Sequence, residues 1–99
     1  MLEVERLFSS YGRVKIISIM VSSGELNISE ITRRSGISHS SVELHLEALV
    51  DSGLLVEKRF NRIRIFQVNY SNPFTKVLTD FLAEWGALSS SQISGRSFN

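Results

Sequence analysis

Residues 27–53 read NISEITRRSGISHSSVELHLEALVDSG, and this stretch decides the fold. Asn27 is a helix-capping residue type followed three positions later by Glu30, a variant of the capping box, so a helix is expected from Ile28 to about Ser35. Gly36 closes it, since glycine enters the left-handed conformation without a Cβ penalty. After Ile37, Ser38 can cap a next helix, His39 to about Ser52, ended by Gly53. Two short helices joined by a tight glycine-containing turn are the signature of a helix-turn-helix.

The second of these helices can be oriented. Val42, Leu46, Leu49 and Val50 fall at i, i+4, i+7 and i+8 and fix its buried face. At about 100° per residue, Ser40, Leu44, Glu47 and Asp51 then point away from the core. His39, Ser41 and Glu43 lie on the flanks, and His45 lies near the core margin. If the helix reads DNA, His39 to Leu44 carry the base contacts.

Upstream, Arg13 to Ser22 is almost continuously apolar, the pattern of a central helix packed on most sides and ended by Ser23-Gly24. A shorter helix over Leu2 to Phe8 precedes it, with Ser9-Ser10-Tyr11-Gly12 as the break. Downstream, Leu54–Phe60 and Ile63–Asn69 are rich in β-branched and aromatic residues and meet at Asn61-Arg62, which reads as a hairpin. Asn72-Pro73 pairs a cap with a first-position proline and starts a last helix. There Phe74, Leu78, Phe81, Trp85 and Leu88 follow a heptad spacing, broadened by Val77 and Leu82. A helix this apolar has more surface than one small core requires, so these seven residues are expected at a dimer interface. The serine-rich stretch 89–99 is expected to be a disordered tail. The fold class is therefore mainly α with a small antiparallel hairpin: a single winged helix-turn-helix domain over residues 1–88, with an additional C-terminal dimerisation helix that the N-terminal helix is expected to join at the interface.

Composition narrows the function. Ninety-nine residues make one domain, able to bury roughly 60–65% of its unfolded surface in a single core. The chain has no cysteine, which removes disulfides, thiolate metal sites and a cysteine nucleophile, and fits a reducing cytoplasm. No apolar run approaches the roughly 20 residues of a membrane span, and no signal peptide is expected at the acidic N-terminus. The two histidines, His39 and His45, share one helix on different faces, with no phosphate loop or nucleophile elbow nearby, so neither an enzyme nor a cofactor is expected. Net charge is only +1, yet Lys58, Arg59, Arg62 and Arg64 fall within seven residues that contain no acid. The basic charge is local, and it sits at the tip of the hairpin.

On these residues the chain resembles the ArsR-type and MarR-type winged helix-turn-helix repressors of bacteria and archaea, over about residues 7–70. Arg13-Val14-Lys15-Ile16-Ile17 resembles the opening of the family's central helix, and Ile28-Ser29-Glu30-Ile31 the start of its second. Gly36 to Val42, followed by Leu46, Leu49, Gly53, Leu54 and Leu55, resembles its turn, recognition helix and wing. The resemblance implies a dimer whose recognition helices enter successive major grooves while the wings touch flanking backbone. It does not imply metal sensing, because the family's cysteine motifs and an Asp/His cluster on the last helix are absent. The sequence names no small-molecule effector.

Candidate DNA contacts are Ser38, His39, Ser40, Ser41 and Leu44 on the recognition helix and Lys58, Arg59, Arg62 and Arg64 on the wing. Serines at a helix N-terminus can meet phosphates, although simple capping is the better account of Ser38. An outward Leu44 can touch a thymine methyl. Wing cations can neutralise phosphates, or merely protect an edge strand. Glu43 reads best as a solvated flank or a partner of Arg33 or Arg34. The expected function is a sequence-specific, homodimeric regulator that binds double-stranded DNA. Two rivals stay open: a winged helix used for protein interaction, favoured by Glu43, Leu44 and the near-neutral charge, and a non-specific chromatin-type protein.

Overall fold

The computed structural model describes residues 3–95, with side chains through Ser90. Its elements are α1 (Val4–Phe8), α2 (Tyr11–Ser23), β1 (Leu26–Asn27), α3 (Ile28–Ser35), α4 (His39–Asp51), β2 (Leu55–Phe60), β3 (Ile63–Val68) and α5 (Pro73–Gly95). The three strands form an antiparallel sheet in the order β1-β3-β2. This is a winged helix-turn-helix, as the sequence predicts, with one addition. The two-residue β1 pairs Leu26 with Phe66 and Asn27 with Ile65, and is too short to leave a periodic trace in sequence.

Caps set the helix boundaries. The Ser10 hydroxyl accepts from the Arg13 backbone N–H at 3.2 Å, so α2 begins at Tyr11, two residues before the expected start. Asn27 ends β1 and caps α3 through a 2.8 Å bond from the Glu30 N–H. The box stays half made, because the Glu30 carboxylate is taken by Arg33 at 2.6 Å and Arg34 at 3.3 Å. Gly36 is left-handed, with φ 72°, and closes α3. Ser38 caps α4, accepting from the Ser41 N–H at 3.4 Å.

The core is built where the apolar faces converge: Ile16, Ile17 and Met20 of α2, Ile31 of α3, Val42, Leu46 and Leu49 of α4, and Leu55, Phe66 and Val68 of the sheet. Each such side chain contributes roughly 1.5–3 kcal/mol on burial. Together they fix α4 beneath α2 with its opposite face bare.

The last helix has two apolar faces. Leu78 and Leu82, partly buried, pack against the chain's own core alongside the buried Thr75 and Thr79, and so stabilise the protomer, while Leu78 also borders the open apolar groove beside α1. Phe74, Val77, Phe81, Trp85 and Leu88 are exposed. The split follows from spacing, since 75, 78, 79 and 82 share one stripe and 74, 77, 81, 85 and 88 its neighbour. The helix continues to Gly95, past the expected limit at Leu88, because neither proline nor glycine interrupts residues 87–94. Leu2 and residues 96–99 of the expected tail lie outside the described residues.

Candidate nucleic-acid interface

Along α4 the exposed positions are those computed from the helical period. His39 and Ser40 open the helix at the surface, Leu44 is 67% exposed, and Glu43, Glu47 and Asp51 line the same side. Ser38 is occupied as a cap, and Ser41 is half-buried beside it.

Strand register sorts the wing. Leu55 faces Val68, Glu57 faces Phe66 and Arg59 faces Arg64 on one side of the hairpin. Lys58 opposite Ile65 and Phe60 opposite Ile63 occupy the other. The two-residue loop carries a left-handed Asn61, φ 58°, as expected for its residue type. Arg59 and Arg64 therefore point into the groove between wing and α4, whereas Lys58 points out of it.

Three of the four wing cations are ion-paired. Lys58 pairs with Glu25 at 2.7 Å. Arg64 donates from Nε to Glu57 Oε2 at 2.8 Å, from Nη2 to Glu57 Oε1 at 3.4 Å, and from Nη1 to Glu43 Oε2 at 3.2 Å. Its guanidinium also lies 5.3 Å from the centre of the Phe66 ring. The hydrogen bond from Arg64 holds the Glu57 carboxyl below its ordinary value of 4.5, and Glu57 in turn raises Arg64. Arg59 shares Glu57 at 3.3 Å and is otherwise exposed. Arg62, at the tip, makes no ion pair among the described residues. Of the four expected phosphate contacts, Lys58, Arg59 and Arg64 each pair with a carboxylate, Arg59 being the more exposed partner of its pair, and Arg62 pairs with none among the described residues.

Other partners also differ from those anticipated. Glu43 reaches Arg64 across the groove, not Arg33 or Arg34. Those two arginines belong to Glu30, and Arg34 also reaches the Ser23 hydroxyl at 2.9 Å. Sequence reading passed over Glu57, although its offset of two from Arg59 places both on one face of a strand. His45 is turned inward against Gly12, where an added Cβ would overlap the imidazole. Burial, and then the charge of Arg13, lower the His45 pKa below its ordinary 6.5.

A second surface lies between α1 and α5. Val4, Leu7 and Phe8 of α1 and Phe74, Val77, Leu78 and Phe81 of α5, with Leu54, line an apolar groove of about 670 Å³. Phe8 meets Phe81 edge-on at 6.1 Å, and Phe81 leans on Trp85 at 5.9 Å. Among the described residues no helix is long and apolar enough to cross a membrane, and no three His, Cys, Asp or Glu side chains cluster as metal ligands would.

Comparison with known proteins agrees with this geometry. Residues 10–57 match the family model of bacterial regulatory protein, arsR family, a helix-turn-helix model. Reduced HlyU from Vibrio cholerae superposes with a TM-score of 0.70 at 18% identity, over 83% of each chain. A predicted DNA-binding transcriptional regulator from E. coli gives 0.68 at 23% identity, over 80% of this chain and 81% of that one. The homodimeric winged helix-turn-helix DNA-binding domain Mb0332 from Mycobacterium bovis, a possible ArsR-family regulator, gives 0.67 at 14%, over 97% and 83%. No curated protein matches the sequence.

Proposed function

Since residues 10–57 match the arsR-family helix-turn-helix model, we propose that the protein is a transcriptional regulator that binds double-stranded DNA in a sequence-specific manner as a homodimer. One observation carries this reading: α4 is held by its buried face while His39, Ser40 and Leu44 stand exposed on the side flanked by the wing. A helix anchored in this way can enter a major groove with its N-terminal residues at the base edges. His39 and Ser40 offer polar contacts and Leu44 a contact to thymine methyls, while Ser38 and Ser41 place the N-terminus against a phosphate. Arg62, aided by Arg59, meets the flanking backbone.

The second copy of the chain covers the α1–α5 face. Val4, Phe8, Phe74, Val77, Phe81, Trp85 and Leu88 are all exposed there, more contiguous apolar surface than a small monomer leaves in water. The homodimeric state of the Mb0332 domain supports a dimer. Its two-fold symmetry would present two recognition helices to one duplex.

A competing reading, docking of another protein on α4, draws on Glu43, Glu47, Asp51 and Glu57, which outnumber Arg59 and Arg64 in the groove beside the wing. Fluorescence anisotropy of labelled mixed-sequence duplex at two salt concentrations, with the protein's mass by light scattering, separates the two. Salt-sensitive binding by a dimer supports regulation through DNA. Absence of binding at low salt transfers α4 to a protein partner.

A further inference from the structure

Arg64 is the most heavily engaged side chain on the reading surface. It is half-buried, contributes three donors to two carboxylates, and joins three elements: Glu43 belongs to α4, Glu57 to β2 and Arg64 to β3, so that the bond to Glu43 adds a polar tie between the recognition helix and the paired strands of the wing. Arg59 extends the chain of alternating charge by one further member. Only a planar guanidinium fork can grip Glu57 with two N–H groups and still offer a third to Glu43; the lysine ammonium is a point charge on a flexible stem.

The position of this chain matters for binding. The third strand reaches only as far as Ile65, so the outer part of the wing, Arg64 included, is a two-stranded ribbon and pliable by itself, and the recognition helix and wing must meet DNA at a fixed offset if base and backbone contacts are to form together. Glu43 alone would repel phosphates from the first turns of α4; bridged to Arg64, it is turned across the groove and its charge is compensated. Because the pair closes within the free protein, this ordering need not be repeated on binding.

We propose that Arg64 is a positioning residue that locks the wing to the recognition helix through Glu43 and Glu57, and does not itself contact a phosphate. The proposal rests on the DNA-binding reading above. It reassigns a residue that charge clustering alone would place on the backbone, and it makes Glu43 part of the DNA-binding apparatus through an internal contact.

The test is a double-mutant cycle on affinity for a labelled duplex recovered by selection from a random-sequence pool. Arg64→Met, Glu43→Gln and the pair are compared with the wild-type chain, with thermal midpoints recorded to show that each variant is folded. The expected result is that Arg64→Met weakens binding markedly in the wild-type background and at least about threefold less in the Glu43→Gln background, the size of coupling seen between contacting side chains. Equal losses in both backgrounds would show an independent phosphate contact and overturn the proposal. Arg64→Lys is the second arm, and carries the test should Arg64→Met fail to fold. A phosphate contact survives that change nearly intact, whereas the lock loses most of the effect that Arg64→Met loses. If the wild-type chain selects no duplex at all, the DNA-binding reading falls, and the role of Arg64 falls with it.

Discussion

The imidazole of His45 lies directly over Gly12, so that position 12 in the first turn of α2 has no room for a Cβ. The recognition helix is thereby keyed to the central helix by a glycine and a half-buried histidine, in addition to the apolar core beneath them.

Gly12→Ala is expected to destabilise the fold by about 1–3 kcal/mol through overpacking, against a gain of at most about 1 kcal/mol in helix propensity. Urea unfolding measures the balance. Combining it with His45→Ala should restore much of the loss, and a Gly12→Ala protein as stable as the wild type would show that the ring moves aside freely.

His45 also sets a pH dependence. Its folded pKa lies below 6.5, because burial and Arg13 disfavour the cation, so the unfolded chain binds the proton more readily. Stability is then complete above the unfolded value and declines as pH falls below about 6.5 towards the folded pKa. The depressed carboxyl of Glu57 adds a second loss, beginning only near its ordinary 4.5. Denaturation midpoints measured between pH 7.5 and 5 should fall in the wild type and fall less in His45→Gln. Identical slopes would remove His45 from the account.

The two faces of α5 respond differently to substitution. Trp85→Glu, on the exposed stripe, is expected to yield a monomer in light scattering with the fold intact. Leu82→Ala, on the core stripe, is expected to lower stability, by up to about the 2–5 kcal/mol of a full leucine truncation, while the dimer persists at concentrations where the chain is folded. Dimers of unchanged mass in Trp85→Glu would place the interface elsewhere.

The wing cations can be ranked by salt dependence. Arg62→Ala should reduce the slope of log affinity against log salt by about 0.9, the value of one phosphate contact on duplex DNA. Lys58→Ala should change it less, since Lys58 is paired with Glu25. Equal slopes for Arg62→Ala and the wild type would take the wing tip off the backbone.

The elements could be read in the sequence because each announced itself locally. Asn27, Gly36, Ser38 and Asn72 are caps that act within four residues of themselves, and the hairpin loop is named by Asn61. The outward face of α4 followed from helical period, which core packing preserves. What escaped depends on contacts between distant residues. Nothing near Arg64 shows that Glu43, twenty-one positions earlier, will be its partner, and Glu25 meets Lys58 only because β1 joins the sheet beside the wing. Charge clustering named four wing cations, and alternation along the strand already keeps them from all facing one way; which of them Glu25, Glu43 and Glu57 engage was not legible. Heptad spacing likewise gathered seven apolar residues of α5 into one seam, and the position of the core beside Leu78 and Leu82 split it.

Whether the protein reads DNA as a symmetric pair is decided by selecting binding sites from a random-sequence duplex pool. A homodimer reading through α4 should recover an inverted repeat with half-sites about one helical turn apart, roughly 10–10.5 base pairs, and Leu44→Ala should change the recovered half-site. Recovery of duplexes without a shared symmetric motif, or of the same motif whatever stands at position 44, would contradict it.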